Sequence, residues 1–507
     1  MADRSHGQGP RAPSARQGSR QGGRRADPFA ETPRTGRDLA RQVLARVEQD
    51  GAFAGRALAA ALDRVGDLLA PPERALATEL VYGVLRRRTR LDRALEAVAD
   101  RGLTSLDPSM RIILRVGAYQ LLFLDRVPAY AAVHDTVETA KRIHGPRLGG
   151  LTNALLRRVS ERGEPPLPDA AADPFGYLVE GCGFPEWLAR LTIRDVGTEV
   201  AIALGGQMGA PAPLAIRANR LAGVSRQALT ALIAAERPDA TFVPSAVAPD
   251  ALLARAVDAP ARTAAFNDGA FAIQDVGAQL VAELCGAAPG DRVLDACAGL
   301  GGKTAHLAAL AGNQAHIEAL DLSGAKLDQA REQWRRLGVK DVVTRIADLT
   351  KELPTTAGPY QRVLLDAPCA GLGVLRRHPE ALLRRTEADL TLLAAAQSRM
   401  LDVVAPRVAA GGILVYAVCT FDRVECEEVV RAFLARHPDF RLQSPTETSS
   451  ATGTASASSS GEAPRSPASA SEIPWERVID GGGFLRTWPQ REDADAFFAA
   501  RLRRLTR

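Results

Sequence analysis

No two of the six cysteines in this 507-residue chain are spaced as CxxC, and no apolar run approaches the roughly 20 residues that cross a bilayer. The first absence removes the usual zinc-site and thioredoxin spacings, and six thiols in so long a chain do not make a disulfide scaffold. The second removes a membrane span. The amino terminus also lacks the apolar core of a secretory signal, so the expected setting is the cytoplasm, with reduced thiols. Strong charge of one sign is missing too. A net charge of +5 and a pI near 9.0 permit a polyanionic partner only through a local footprint.

What is present divides the chain into about three domains, as its length suggests. Residues 1–34 are rich in Gly, Pro, Arg and Ser with almost nothing to bury, and are expected to be a disordered basic arm. From Thr35 the apolar spacing becomes helical: Leu39, Val43, Leu44 and Val47, then Leu76, Leu80, Val81 and Val84 after Pro71–Pro72. Amphipathic stretches at 109–124, 129–143 and 151–159 complete an all-α domain over 35–160. Its basic residues gather at Arg86–Arg88 with Arg90, at Lys141–Arg142 and at Arg157–Arg158, together a candidate nucleic-acid surface. Residues 161–262 carry mixed signals, with a strand in PAPLAIRANRL (211–221) and a helix over 227–236, and are expected to form a small α+β linker domain. From 263 to 507 strands and helices alternate as in a doubly wound α/β sheet, with strands at 292–295, 317–321, 342–346, 363–366 and 413–417. The Ser/Ala/Thr/Pro tract 444–471 cannot build a core and reads as a surface insertion before closing strands around 478–480 and 484–487.

VLDACAGLGGKT (293–304) is a strand, a glycine-rich turn and a helix start. Two phosphate-binding motifs fail there on spacing: a Walker A loop needs glycine where Cys297 stands, and GxGxxG from Gly299 needs one at Thr304. What remains is a turn in which Gly299, Gly301 and Gly302 let backbone approach a ligand, followed by acids at successive strand ends. Asp321, nineteen residues after Gly302, is placed to take both hydroxyls of a ribose. Asp348 follows the third strand and Asp366 ends the fourth. A nucleoside without polyphosphate, held among carboxylates that favour a sulfonium charge, is the pattern for S-adenosylmethionine.

The fourth strand runs into VLLDAPCAGLGVLRRHP (363–379), which delivers Asp366 and the thiol of Cys369 to a turn beyond its carboxyl end, where open α/β sheets bind ligands. The last parallel strand, ILVYAVCT (413–420), brings a second thiol, Cys419. A lone cysteine on a strand is usually a small buried hydrophobe. Two at one sheet edge beside a carboxylate point to chemistry, though periodicity does not say which one attacks.

RVGAYQLLFLDRVPAYAAVHDTVETAKR (115–142), LTNALLRR (151–158), FPEWLARL (184–191), DACAGLGGKT, DAPCAGLGVLRRHP and VYAVCT together resemble the Sun-type family of bacterial 16S rRNA cytosine-5 methyltransferases. The resemblance covers roughly 36–443 and 472–507. It implies a multidomain chain: an all-α NusB-like N-terminal domain, a small α+β linker domain and an α/β Rossmann-like class I methyltransferase domain. By the same match Cys297, Ala298, Gly299, Leu300, Gly301, Gly302 and Lys303 wrap the methionine end of S-adenosylmethionine, Asp321 binds ribose, Asp348 lies on the adenine side and Asp366 on the reaction side. Leu300 stands where this loop usually has proline. The match also makes Cys419 the nucleophile and Cys369 the thiol that aids release, with Asp366 activating the base. The chemistry suits the set, because carbon 5 of cytosine becomes nucleophilic once a thiolate has added to carbon 6. RNA, as 16S rRNA or a small-subunit assembly intermediate, is the implied partner of a monomeric protein. The alternative of an RNA-binding adaptor with a relic methyltransferase fold is opposed by the intact Cys419, Cys369 and Asp366.

Overall fold

The computed structural model describes residues 32–255, 257, 259–351, 353, 358–445, 447 and 473–506. Most of the expected basic arm and of the 444–471 tract lies outside them. Among the described residues, no helix is long and apolar enough to cross a membrane.

The first domain is helical throughout, with helices Gly36–Gln49, Ala54–Val65, Pro71–Arg86, Arg88–Glu96, Pro108–Phe123, Ala129–His144 and Pro146–Arg162. Their starts follow local chemistry. The Thr35 hydroxyl accepts from Asp38 N, Asp107 accepts from Ser109 N, and proline occupies the first turn at Pro71, Pro108 and Pro146. Leu39, Val43, Leu44, Leu80, Val84 and Leu156 fill one core. Part of the expected basic surface is paired within the fold, while Lys141, Arg157 and Arg158 stay exposed. Arg87 and Arg90 stack on Phe123 at 4.4 and 5.0 Å, Arg90 Nε donates to Glu164 at 2.6 Å, Arg142 pairs with Asp38, and Arg158 pairs with Asp100 at 3.2 Å.

The linker region has two parts. Helices Glu186–Val196 and Thr198–Met208 bury Leu188, Leu191 and Leu204 against Ala370, Leu372, Leu375 and Phe421 of the catalytic domain. Beyond them, β1 (Leu214–Ala218), β2 (Thr241–Pro244), β3 (Ala251–Arg255) and β4 (Phe271–Ile273) form an antiparallel sheet in the order β2-β3-β1-β4. The boundary expected after 262 therefore shifts, because β4 pairs with β1 through Ile216–Ile273, Arg217–Ala272 and Ala218–Phe271.

The catalytic sheet contains β5 (Arg292–Asp295), β6 (His316–Asp321), β7 (Val342–Ile346), β8 (Tyr360–Asp366), β9 (Val408–Val418), β10 (Phe440–Leu442), β11 (Leu485–Arg486) and β12 (Phe498–Arg504). Its order is β10-β12-β9-β8-β5-β6-β7, with β11 paired to β12. The run β9-β8-β5-β6-β7 is parallel, and β12 enters antiparallel beside β9. The closing hairpin expected at 478–487 is reduced to a single bridge, Ile479–Leu485, and the two-residue β11. The strand that closes the sheet is β12, whose FAARLRR does not alternate cleanly until Val415, Ala417 and Phe484 supply its packing. Strand order reverses between β5 and β8, and such switch points open a crevice beyond the strand ends.

Candidate active site

The loop after β5 is tied to both neighbouring strands. Ala296 N donates to Leu364 O at 2.8 Å and Ala298 N to Leu320 O at 2.7 Å. Gly301 has φ +78°, and a Cβ there would lie 2.4 Å from Trp334 Nε1, the atom that donates to Gly301 O at 2.9 Å. Glycine is thus required for the helix Gly302–Leu310 to start where it does. Gly299 and Gly302 face open space, with no atom within 4 Å of an added Cβ. Asp321 Oδ2 accepts from Gly299 N at 3.0 Å and its Oδ1 from Ser323 N at 2.8 Å, so the carboxylate props the loop it faces.

Asp348 is turned to its own bend, accepting from Thr350 Oγ1 at 2.6 Å and pairing with Lys351 at 3.1 Å. Near Asp321 three aliphatic side chains are exposed, Leu300, Leu322 and Ile346 at 55%, 70% and 65%, with Ile346 in register with Asp321, and Lys326 Nζ lies 3.8 Å from the Asp321 carboxylate. Exposed aliphatics gathered at one strand edge suit an aromatic ring. Sequence reasoning missed Leu322 and Ile346 because a surface aliphatic carries no motif.

Sequence reasoning also missed Asp295. It is buried, its Oδ2 accepts from Thr304 Oγ1 at 2.6 Å, and its Oδ1 makes no hydrogen bond among the described residues. Burial, with Asp366 adding to it, pushes this carboxyl up to about 6. Burial, then the fields of Asp295, Asp366 and Asp321, keeps the Cys297 thiol protonated. Lys303 leaves the loop altogether. Its Nζ donates to Asp366 Oδ2 at 2.7 Å and lies 5.1 Å from the centre of the Phe497 ring. Burial disfavours its charge, but Asp366, Cys419 and Asp295 more than restore it.

The two strand-end thiols meet. Cys369 Sγ lies 3.4 Å from Cys419 Sγ, as adjacent pairing of β8 and β9 predicts. The hydrogen bond to Cys419, reinforced by burial, holds Cys369 far above the usual thiol range. That environment keeps the Cys369 thiol protonated.

The turn carrying Cys369 is stitched to β9 and to the carboxyl end: Ala367 N donates to Ala417 O at 2.9 Å, Gly373 N to Cys419 O at 3.0 Å, and Ala496 N to Gly373 O at 3.0 Å. The basic run after it is structural. Arg376 pairs with Asp493 at 3.0 Å, and Arg377 bridges Asp495 at 2.8 Å and Asp275 at 3.0 Å. Burial and the neighbouring Asp275 push Asp495 up to about 7 despite Arg377.

The order β7-β6-β5-β8-β9-β12-β10, with a glycine loop after β5 and a thiol pair beyond β8 and β9, defines a Rossmann-like methyltransferase. The chain belongs to the 16S rRNA methyltransferase RsmB/F family, whose match spans residues 284–503, and the NusB family matches residues 34–161. It is 34% identical to a Synechocystis protein described as a probable ribosomal RNA small subunit methyltransferase B, over 84% of this chain and 94% of the relative. It is 36% identical to the ribosomal RNA small subunit methyltransferase B of Pseudomonas putida, over 79% of this chain and 89% of the relative. The solved structure of PH0851 has the same fold, with TM-score 0.70 at 22% identity over 93% of this chain and 98% of that one.

Proposed function

We propose that the protein methylates carbon 5 of a cytosine in RNA, 16S rRNA or a small-subunit assembly intermediate, and acts as a cytoplasmic monomer. The residues around the β5 loop fit S-adenosylmethionine: Gly299 and Gly302 leave their faces open, Asp295 Oδ1 is an unused buried acceptor, and Leu300, Leu322 and Ile346 offer exposed aliphatic side chains. When bound, that cofactor supplies an electrophilic methyl group. Cys297 to Gly302 would line its methionine end, with the Lys303 side chain turned to Asp366, while Asp321 would take the ribose hydroxyls and Asp348 would border the adenine side.

The observation that carries the proposal is the 3.4 Å pairing of Cys369 with Cys419 beside the Lys303–Asp366 ion pair. Methyl transfer to oxygen or nitrogen needs no thiol. Transfer to a pyrimidine carbon needs a nucleophile that first saturates the ring. The sulfur of Cys419 adds to carbon 6 as its S–H proton leaves by way of Asp366 for ring N3, and the electron pair displaced from the C5–C6 double bond makes carbon 5 an enamine carbon. Asp366 passes that proton to N3 as an acid and takes it back on release, which stabilises the adduct, while Lys303 keeps the carboxyl group aligned. After transfer the C5 proton passes to water, its electron pair restores the C5–C6 double bond, and the sulfur of Cys419 leaves as a thiolate. The Cys369 S–H donates to that departing sulfur, which is why release depends on it.

RNA containing 5-fluorocytosine tests the proposal, since fluorine at carbon 5 blocks the final proton loss. A protein–RNA adduct stable to denaturing electrophoresis is expected, and its absence would refute the carbon-5 assignment. Bisulfite sequencing of rRNA from a deletion strain identifies the base, and an unchanged 16S pattern would exclude that substrate.

A further inference from the structure

Three fully buried polar side chains converge on the turn that holds Cys369. Glu425, in the segment after β9, accepts from Ala370 N at 3.0 and 3.1 Å. Gln397, on the helix Glu387–Val404, donates through Nε2 both to Glu425 Oε2 at 2.6 Å and to Pro368 O at 3.0 Å. Tyr416, on β9, donates to Gln397 Oε1 at 2.9 Å and to Glu425 O at 2.6 Å. The bonds grip Pro368 and Ala370, the residues on either side of Cys369. A fourth side chain completes the grip from outside, with Arg385 donating to Ala370 O at 2.9 Å and to Cys369 O at 3.3 Å.

The other end of the network is rooted next to Cys419. Thr420 Oγ1 donates to Asp422 Oδ2 at 2.7 Å, and Glu425 N donates to Asp422 Oδ1 at 2.9 Å. Asp422 and Glu425 are both fully buried, and neither is within ion-pair distance of a cation among the described residues. Burial and then Asp422 push the Glu425 carboxyl up to about 8, so the pair holds one proton at neutral pH. Two buried acids are a costly way to close a loop that apolar packing could close. Their direction explains them: one end is anchored at the residue after Cys419, the other at the residue after Cys369.

From this geometry we infer that Glu425 is the positioning residue of the releasing thiol, holding Cys369 against Cys419 through the Ala370 N–H. The inference rests on the proposed carbon-5 chemistry and assigns this residue to one half of it. Glu425 does not touch the reacting atoms. It sets where the Cys369 S–H points when the C6–sulfur bond breaks, and it leaves Cys419 free to attack.

The test uses the full chain with 16S rRNA containing ordinary cytosine. With Glu425→Ala, displacement of the Cys369 turn should slow release, so that the covalent adduct accumulates by about tenfold while single-turnover methyl transfer stays within about threefold of wild type. Glu425→Gln retains an acceptor for Ala370 N and a donor toward Asp422, and should bring the adduct back toward the wild-type level. Should the alanine variant not fold, Glu425→Asp withdraws the carboxyl from Ala370 N and serves in its place. Unchanged adduct levels in the folded variant, loss of adduct and turnover together, or a glutamine variant that accumulates adduct as alanine does would each overturn the inference. A wild type that forms no adduct even with 5-fluorocytosine RNA removes the carbon-5 proposal itself, and the inference with it.

Discussion

Lys303 Nζ lies 2.7 Å from Asp366 Oδ2, which joins the cofactor loop to the strand that ends in the catalytic turn. The ammonium is largely buried and remains charged because Asp366, Cys419 and Asp295 surround it. Replacing it with methionine keeps the apolar stem and removes the charge. Turnover of Lys303→Met should fall by about 100-fold, the scale of losing one aligned charge at a developing anion. Cofactor affinity, measured by calorimetry, should change by less than about tenfold if the ammonium serves Asp366 rather than the methionine end.

The thiol pair predicts opposite phenotypes for two similar substitutions. Cys419→Ala should reduce methylation to background and form no adduct. Cys369→Ala should still attack and then stall, leaving a protein–RNA band on a denaturing gel. Finding that band with Cys419→Ala instead would exchange the two roles.

His306, on the helix that begins at the cofactor loop, is buried 3.5 Å from Glu283, and burial together with Arg217 pushes it down to about 4. A depressed imidazole contributes stability that is complete above the ordinary value of 6.5 and is lost as pH falls toward 4. The loss over that window is about 3 kcal/mol. His306→Leu has no such group, so the gap between its urea midpoint and that of wild type should narrow as pH drops from 7 to 4.5. A gap that stays constant would mean the histidine does not titrate there.

Gly373 sits where the catalytic turn passes the carboxyl-terminal segment. A methyl group at this position would lie 1.9 Å from Ala496 O and 2.9 Å from Cys419 O, both backbone atoms. Gly373→Ala should cost on the order of 1–3 kcal/mol and lower turnover with it, because relief requires moving the Cys419 strand end. Thermal unfolding and single-turnover rates measured together would show the coupled loss.

All five parallel strands were legible, since runs such as Val363, Leu364 and Leu365 have little other use than a buried strand, but β8 and β9 begin earlier than expected, at Tyr360 and Val408. The meeting of Cys369 and Cys419 followed from the adjacency of two strand ends. Glu425 and Asp422 were not legible. They lie in DRVECEE, which reads as an ordinary solvated charge run, and acids are seldom fully buried. The structural role of Arg376 and Arg377 was not legible either, because their partners Asp493, Asp495 and Asp275 lie about a hundred residues away in the chain. The small-domain boundary was hidden because β4 joins the linker sheet only after the chain has reached the catalytic domain.

The helical domain contacts the segment that follows the catalytic turn. Buried Glu380 accepts from Ala54 N at 3.1 Å, at the start of a helix, Arg86 Nε donates to Arg376 O at 3.1 Å, and Arg384 reaches Ala52 O while lying 4.7 Å from the centre of the Phe53 ring. A carboxylate at a helix amino terminus is favoured by the backbone dipole as well as by the hydrogen bond. The amino-terminal helices are therefore fastened by packed side chains to the segment that leaves the thiol turn. A chain shortened to its catalytic part would uncover Glu380 and strip the partners from Arg376 O and Arg384, loosening the segment that carries the thiol turn.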